Sequence, residues 1–297
     1  MHKETLDDLD EGLDTKSFLN YNKPSPNAKN LIIVDGLNLA FRWKHRNSVD
    51  FAAEYLRTVT SLAKSYKGKD VVLLSDMGRS LYRVDVSPDY KGDRKKLQET
   101  QTAEEKEAFQ AFLVACDKAY ELCERSHTFF RLKNVEADDI AAYIVKNYGD
   151  KYEHIWLIST DRDWDLLLSE NVSRFSYVSR KEFTLDNFYE EHGCDTPEQY
   201  ISLKCLSGDS GDSVAGIHGI GPKRGYGLLR EYGTALDIYD AIPLDAGNKK
   251  LLQEINKSGE MIPMNYKLMD LLSFCEDAIQ FPDPTNIDKI NEMMEKF

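Results

Sequence analysis

From residue 30 onward, short apolar runs alternate with amphipathic stretches. Runs at 31–34, 71–75, 155–159 and roughly 172–177, with a weaker one at 128–132, have the length and β-branched character of strands. Between them, 50–66 (FAAEYLRTVTSLAKSYK) and 136–148 (EADDIAAYIVKNY) space their apolar residues as helices do. This alternation predicts an α/β fold whose mostly parallel central sheet is flanked by helices. Two segments interrupt it. Residues 78–126 form an insertion, with a helix expected at 103–124 after a less regular stretch, 78–100, that holds Pro88 and Gly92. Residues 197–240 read as helical around GIHGIGPKRGYGLLREYG. Ahead of all this, residues 1–29 are polar, acidic and interrupted by Pro24 and Pro26, which predicts a mobile tail.

The pattern also locates a chemistry. Apolar runs end on Asp35 (LIIVDG), Asp76 (VVLLSD) and Asp161 with Asp163 (LISTDRD). Glu136, Asp138 and Asp139 open a helix in VEADD, and Asp209 and Asp212 lie in LSGDSGDS. In a doubly wound sheet, ligands bind beyond the carboxyl ends of the strands, where the first of these acids fall. Carboxylates a few ångströms apart raise one another's pKa, so nine of them at one edge imply a neutralising cation. An all-oxygen ligand set suits Mg²⁺ or Mn²⁺, and paired Mg²⁺ ions are suited to phosphodiester cleavage. Simple N-terminal capping would explain the VEADD acids alone, but three acids in four residues exceed what a cap needs. The Asp-x-Asp of STDRD also occurs in haloacid-dehalogenase phosphatases, which place it after their first strand. Here a lone Asp35 follows strand one.

A net charge of −13 argues against a nucleic-acid partner until it is located. The first 15 residues hold one Lys against six Asp and Glu, and the nine clustered acids offset the rest. Residues 78–96 hold Arg79, Arg83, Lys91, Arg94, Lys95 and Lys96 against three Asp. With Tyr82 and Tyr90 interleaved, this stretch fits a strand-tracking surface better than a plain solvated loop. FRWKHRN, from Phe41, repeats that blend beside Asp35. In GIHGIGPKRG, glycines between helices leave backbone N–H groups open beside Lys223 and Arg224, a pattern for gripping a duplex backbone. The glycine spacing does not follow a strand, so a dinucleotide site is not indicated. Five cysteines without CxxC spacing predict reduced thiols. No apolar run reaches about 18 residues and the N-terminus has no apolar signal core, so a cytoplasmic protein without membrane contact is expected.

Taken together, VDGLNLAFRWK, LLSDMG, YKGDR, VEADDIAAYIV, ISTDRDWD, LKCLSGDSGDS and GIGPKRGYGLLREYG resemble the stand-alone 5′-nucleases (flap endonucleases) of tailed bacteriophages. They also resemble the 5′-nuclease domain of bacterial DNA polymerase I, a relative of PIN-type nucleases, over about residues 30–240. The resemblance implies an α/β nuclease core at 30–190, a helical arch at 78–124 that threads a single strand, and a helical DNA-binding region at 191–297. Within that region 216–233 matches a helix–three-turn–helix, an element that can hold K⁺. It implies one ion at Asp35, Asp76, Glu136 and Asp138, and a second at Asp161, Asp163, Asp209 and Asp212, with Asp139 reaching metal through water. Lys91 and Arg94 match arch bases acting on the scissile phosphate, with Asp163 essential for catalysis. Phe41, Arg42, Lys44, Tyr90, Lys204, Lys223 and Arg224 match DNA contacts.

The activity so implied is Mg²⁺-dependent flap endonuclease and 5′-3′ exonuclease hydrolysis near single-strand/duplex junctions during DNA replication, with Mn²⁺ able to substitute. Partners are branched or flapped DNA with a free 5′ end, RNA–DNA hybrids and replication proteins. The protein is expected to be a monomer, in the host cytoplasm if phage-encoded. A PIN-type ribonuclease and a non-catalytic DNA-structure-binding protein are the alternatives. The acidic tail would compete with DNA, so its deletion should tighten DNA binding at low salt.

Overall fold

The structure is a computed structural model that describes residues 29–44, 46 and 49–297. The acidic tail expected at 1–29 lies, apart from Lys29, outside the described residues. A six-stranded sheet has the order β3-β2-β1-β4-β5-β6. Its strands are β1 (Asn30–Asp35), β2 (Gly68–Leu74), β3 (Thr128–Phe130), β4 (His154–Ile158), β5 (Val172–Ser176) and β6 (Lys181–Phe183). The first five run parallel, and β6 pairs antiparallel to β5. β6 has no counterpart in the sequence pattern, since three residues, Lys-Glu-Phe, carry no measurable alternation.

Both faces of the sheet are covered, and alternate residues of a strand serve opposite faces. Leu31 and Ile33 of β1, with Val72 and Leu74 of β2, enter the core under α6 (Ala137–Tyr148). Ile32 and Val34, with Val71 and Leu73, enter a second core under α1 (Gly36–Lys44), α2 (Ala52–Ser65) and α5 (Ala103–Glu124). The stretch 78–100 contains two short helices, α3 (Leu81–Val86) and α4 (Gly92–Glu99). A capping box between Thr102 and Glu105 starts α5, which packs back on α2.

Beyond the sheet the chain is helical: α7 (Phe188–His192), α8 (Pro197–Ser207), α9 (Pro222–Tyr232), α10 (Ala235–Asp240), α11 (Lys250–Ser258), α12 (Met261–Met269), α13 (Leu271–Gln280) and α14 (Asn286–Met294). The range 216–233, expected as a helix–three-turn–helix, contains a turn and α9 alone. The helix before the turn is α8, against which α9 packs, so the pair spans 197–232. Between them Gly208–Asp209 and Val214–Ala215 form a tight two-residue ladder. Gly208 caps α8 at φ +76°, and a Cβ on Gly216 would stand 2.1 Å from the Ser207 carbonyl carbon, so this turn demands glycine twice.

β1 has β2 on one side and β4 on the other, so the chain reverses its direction of growth there. The crevice at such a reversal, at the carboxyl ends of the strands, is the natural ligand position in an open α/β sheet.

Candidate metal centre and nucleic-acid interface

A cavity of about 330 Å³ opens at that reversal. Asp35, Asp76, Asp138, Asp161, Asp163, Asp209 and Asp212 line it, with Lys91 and Arg94 on its wall and Phe41 beside them. Five separate segments thus converge. Asp35 ends β1 and accepts hydrogen bonds from the Asn38 N–H (3.1 Å) and the Ser159 hydroxyl (2.9 Å). Asp76 follows β2 and accepts the Ala137 N–H at the start of α6 (2.7 Å), where the helix N-terminus favours negative charge. Asp138 accepts the Trp164 indole N–H (2.6 Å), which ties α6 to the loop after β4. In that loop Asp161 accepts the Asp163 N–H (2.9 Å).

Protein cations stand among these acids. The Lys91 ammonium lies 2.6 Å from Glu136 Oε1 and 3.8 Å from Asp212 Oδ2, and Arg94 lies 2.6 Å from Asp212 Oδ1. Lys204 bridges Asp163 and Asp209, the latter at 3.0 Å. Lys91 donates its backbone N–H to the Asp212 carbonyl (2.8 Å), so the start of α4 is docked on the turn that carries Asp212.

The electrostatics divide accordingly. Burial, then the neighbouring Asp76, pushes the Asp35 carboxyl up to about 7. Burial raises Asp76, with Glu136 adding to it, and raises Asp138, with Asp161 and Asp76 adding. For Glu136, burial is outweighed by Arg83 and Lys91 and the carboxyl falls below its ordinary value; Lys204 does the same for Asp209. Raised carboxyls mark negative charge that lacks a partner. A hard divalent ion, bound by oxygen donors, would relieve it, so the residues present fit such an ion. Among the described residues no group of three stands ready as a ligand set, and lysines occupy the spaces between several of the acids.

This makes a pH dependence. A carboxyl whose folded pKa lies above its unfolded value stabilises the fold while protonated. For Asp35 that contribution is complete below the ordinary value of 3.8 and is lost as pH rises through about 7. In EDTA the melting temperature is expected to fall as pH rises from about 4 to about 7, and saturating Mg²⁺ to remove most of that fall. Calorimetric melting across pH with and without Mg²⁺ checks this. An equal fall in both conditions would contradict it.

Three expected residues stand elsewhere than the sequence suggested. Asp139 does not reach the cavity. It is fully buried and held bidentately by Arg83 (2.6 and 2.7 Å), whose Nε also donates to the Leu268 carbonyl (2.8 Å). Tyr90 is 3 % exposed, and its hydroxyl donates toward Glu136 (3.1 Å) and Asp212 (3.0 Å), so its ring is no free stacking platform. Lys204 is 8 % exposed and engaged by carboxylates instead of facing outward as a phosphate contact.

The remaining candidates are more open. Phe41 lies 5.5 Å from Phe112 between ring centroids, and Lys44 sits 4.9 Å over Phe41 and 4.6 Å over Phe109. Arg42 is half-buried, and burial followed by the nearby Arg46 and Arg180 lowers its pKa. Lys223 and Arg224 are exposed at the start of α9, and Arg224 donates to the Gly219 carbonyl (2.8 Å).

Sequence reading missed Arg83, Ser159 and Trp164 as supports of the acids. The signal for Arg83 was an arginine inside a short apolar segment, LYRVDV. Truncating it to Met is expected to lower stability by about 3–5 kcal/mol, because Asp139 becomes a buried unpaired charge. Urea unfolding of Arg83→Met measures this, and a loss below about 1 kcal/mol would show the pair to be dispensable.

A family model described as "5′-3′ exonuclease, N-terminal resolvase-like domain" matches residues 30–193. A second, "5′-3′ exonuclease, C-terminal SAM fold", matches residues 195–291. The flap endonuclease of Escherichia phage T5 is 47% identical over 265 residues, covering 89% of this chain and 91% of its own. The 5′-3′ exonuclease of Bacillus subtilis is 31% identical over 225 residues, covering 70% of this chain and 72% of its own. A crystal structure of the phage T5 flap endonuclease, in a pseudo-enzyme–product complex with DNA and metal ions, superposes with a TM-score of 0.86 at 46% identity. It covers 90% of this chain and 98% of that one.

Proposed function

Because the chain belongs to the 5′-3′ exonuclease family, we propose that it is a structure-specific 5′-nuclease that hydrolyses DNA phosphodiesters near single-strand/duplex junctions. One observation carries this reading: seven carboxylates from five separate segments surround one cavity, with Lys91 and Arg94 on its wall. Asp35, Asp76, Glu136 and Asp138 would hold one Mg²⁺, and Asp161, Asp163, Asp209 and Asp212 a second, Mn²⁺ substituting. When bound, such ions supply a water of lowered pKa and positive charge at the leaving 3′-oxygen.

The chain's own residues do the rest. Lys91 and Arg94 place positive charge at the non-bridging oxygens of the scissile phosphate, where charge grows in the transition state. Asp139, on the side of α6 turned away from the cavity, acts through Arg83 by fixing the helix start that presents Glu136 and Asp138. Phe41, Arg42 and Lys44 rim the cavity and guide the single strand, and α3 to α5 provide the arch over it. The turn between α8 and α9 grips duplex phosphates with backbone N–H groups, Lys223 and Arg224, and K⁺ is suited to its carbonyls. The products are a 5′-phosphate and a 3′-hydroxyl. The protein works as a monomer in the cytoplasm, on flapped DNA and on RNA–DNA hybrids during replication.

Lys223→Ala with Arg224→Ala is expected to weaken duplex binding uniformly across base sequence. The slope of log Kd against log salt should drop by about 2. Fluorescence anisotropy over a salt series measures it; an unchanged slope would remove these residues from the interface. The function itself is tested by offering matched flaps of DNA and RNA with Mg²⁺. Preference for the DNA flap supports the proposal, whereas cleavage confined to RNA would move the protein to the ribonuclease reading.

A further inference from the structure

The acids of the cavity differ in what already neutralises them. At one end Asp35, Asp76 and Asp138 accept hydrogen bonds from Asn38, Ser159, Ala137 and Trp164, all of them neutral donors. Among the described residues, no Lys or Arg forms an ion pair with any of these three acids. The other end is different. Lys204 spans Asp163 and Asp209, and Arg94 holds Asp212 at 2.6 Å.

Lys204 is built into this position. It lies on α8 in a stretch, Ile201 to Leu206, in which every residue is buried. Its ammonium is 5.9 Å from the centre of the Tyr200 ring and joins two carboxylates from different parts of the chain, one after β4 and one after α8. An ammonium so placed supplies the positive charge that a divalent ion would otherwise bring. It also fills the space between the two oxygens, so ion and ammonium cannot occupy it together. The four-carbon stem lets the head swing toward the cavity without moving the helix.

We propose that Lys204 is an internal counter-cation of the Asp163–Asp209 end of the centre, and that a divalent ion enters there only when this ammonium is displaced. The inference rests on the two-ion reading given above. It makes the two ends unequal: Asp35, Asp76 and Asp138, which form no ion pair, draw a cation first even though Glu136 beside them is held by Lys91 and Arg83, and Lys204 sets how readily the second follows.

Calorimetric titration of Mn²⁺ into the full-length protein without DNA tests this, comparing wild type, Lys204→Met and Lys204→Arg. Lys204→Met is expected to bind the weaker of the two ions at least about tenfold more tightly, equivalent to about 1.4 kcal/mol. Lys204→Arg, which keeps the charge, is expected to show no gain. Unchanged or weakened binding of that ion in Lys204→Met would overturn the proposal while leaving the metal centre intact. Absence of Mn²⁺ binding in both wild type and Lys204→Met would overturn the metal-centre reading and the proposal together. A wild-type measurement covers the case in which Lys204→Met does not fold. Acetylation of Lys204, followed by mass spectrometry, should accelerate severalfold when saturating Mn²⁺ replaces EDTA. An unchanged or slower rate would contradict displacement.

Discussion

Asp163→Ala is expected to cut flap cleavage by at least about a thousandfold, some 4 kcal/mol of transition-state stabilisation, while leaving flap binding in place. Asp163 lines the cavity and receives Lys204, and its backbone N–H is fixed by Asp161. Its removal takes one oxygen ligand from the end assigned to the second ion. It leaves Lys204 paired with Asp209 at 3.0 Å, so no buried charge is stranded and the fold should persist. Binding should be retained or tightened, since a negative charge facing the phosphodiester is lost. Single-turnover cleavage and anisotropy on the same flap separate the two effects. Cleavage within tenfold of wild type would exclude Asp163 from the chemistry. Loss of binding together with cleavage would point to a structural role instead.

Lys91→Met is expected to slow the single-turnover rate by about 100- to 1000-fold, the range for removing one preorganised donor to developing negative charge. The ammonium stands 2.6 Å from Glu136 and 3.8 Å from Asp212, with Arg94 on the same wall, and must turn from these acids toward the phosphate. Met keeps the length of the stem, and Glu136 keeps Arg83 at 3.0 Å, which limits the structural damage. Lys91 adopts φ +53°, which Met and Lys meet with similar strain, so the backbone penalty cancels in the comparison. The prediction is a fall in rate with little change in flap affinity. A variant that loses affinity but cleaves normally at saturation would make Lys91 a binding residue and not a catalytic one.

Much of the fold could be read from the chain because its central strands are apolar on both faces. β1, β2 and β4 therefore appear as unbroken hydrophobic runs, and each run ends near an acid of the cavity. The start of α5 is set by a local signal, the Thr102–Glu105 capping box. What was not legible depended on direction. Adjacent helical residues point about 100° apart, so in α6 Asp138 faces the cavity and Asp139 turns back to Arg83, although the motif presents them as equals. Tyr90 between basic residues reads as a stacking platform, and only the packed structure shows its hydroxyl between Glu136 and Asp212. Lys204 sits among apolar neighbours on α8, and its partners are 41 and 5 residues away, so no local spacing joins it to the acids. The docking of α4 on the Asp212 turn likewise joins segments with no sequence relation.

The central claim, a metal-dependent nuclease centred on the acid-lined cavity, is tested most directly by one cleavage assay. A 5′-labelled flap duplex is incubated with the full-length protein in Mg²⁺ and in EDTA, and the labelled product is sized. Short products ending at the junction, formed only with Mg²⁺, are the predicted result. Tight flap binding with no cleavage under Mg²⁺ or Mn²⁺ would contradict it.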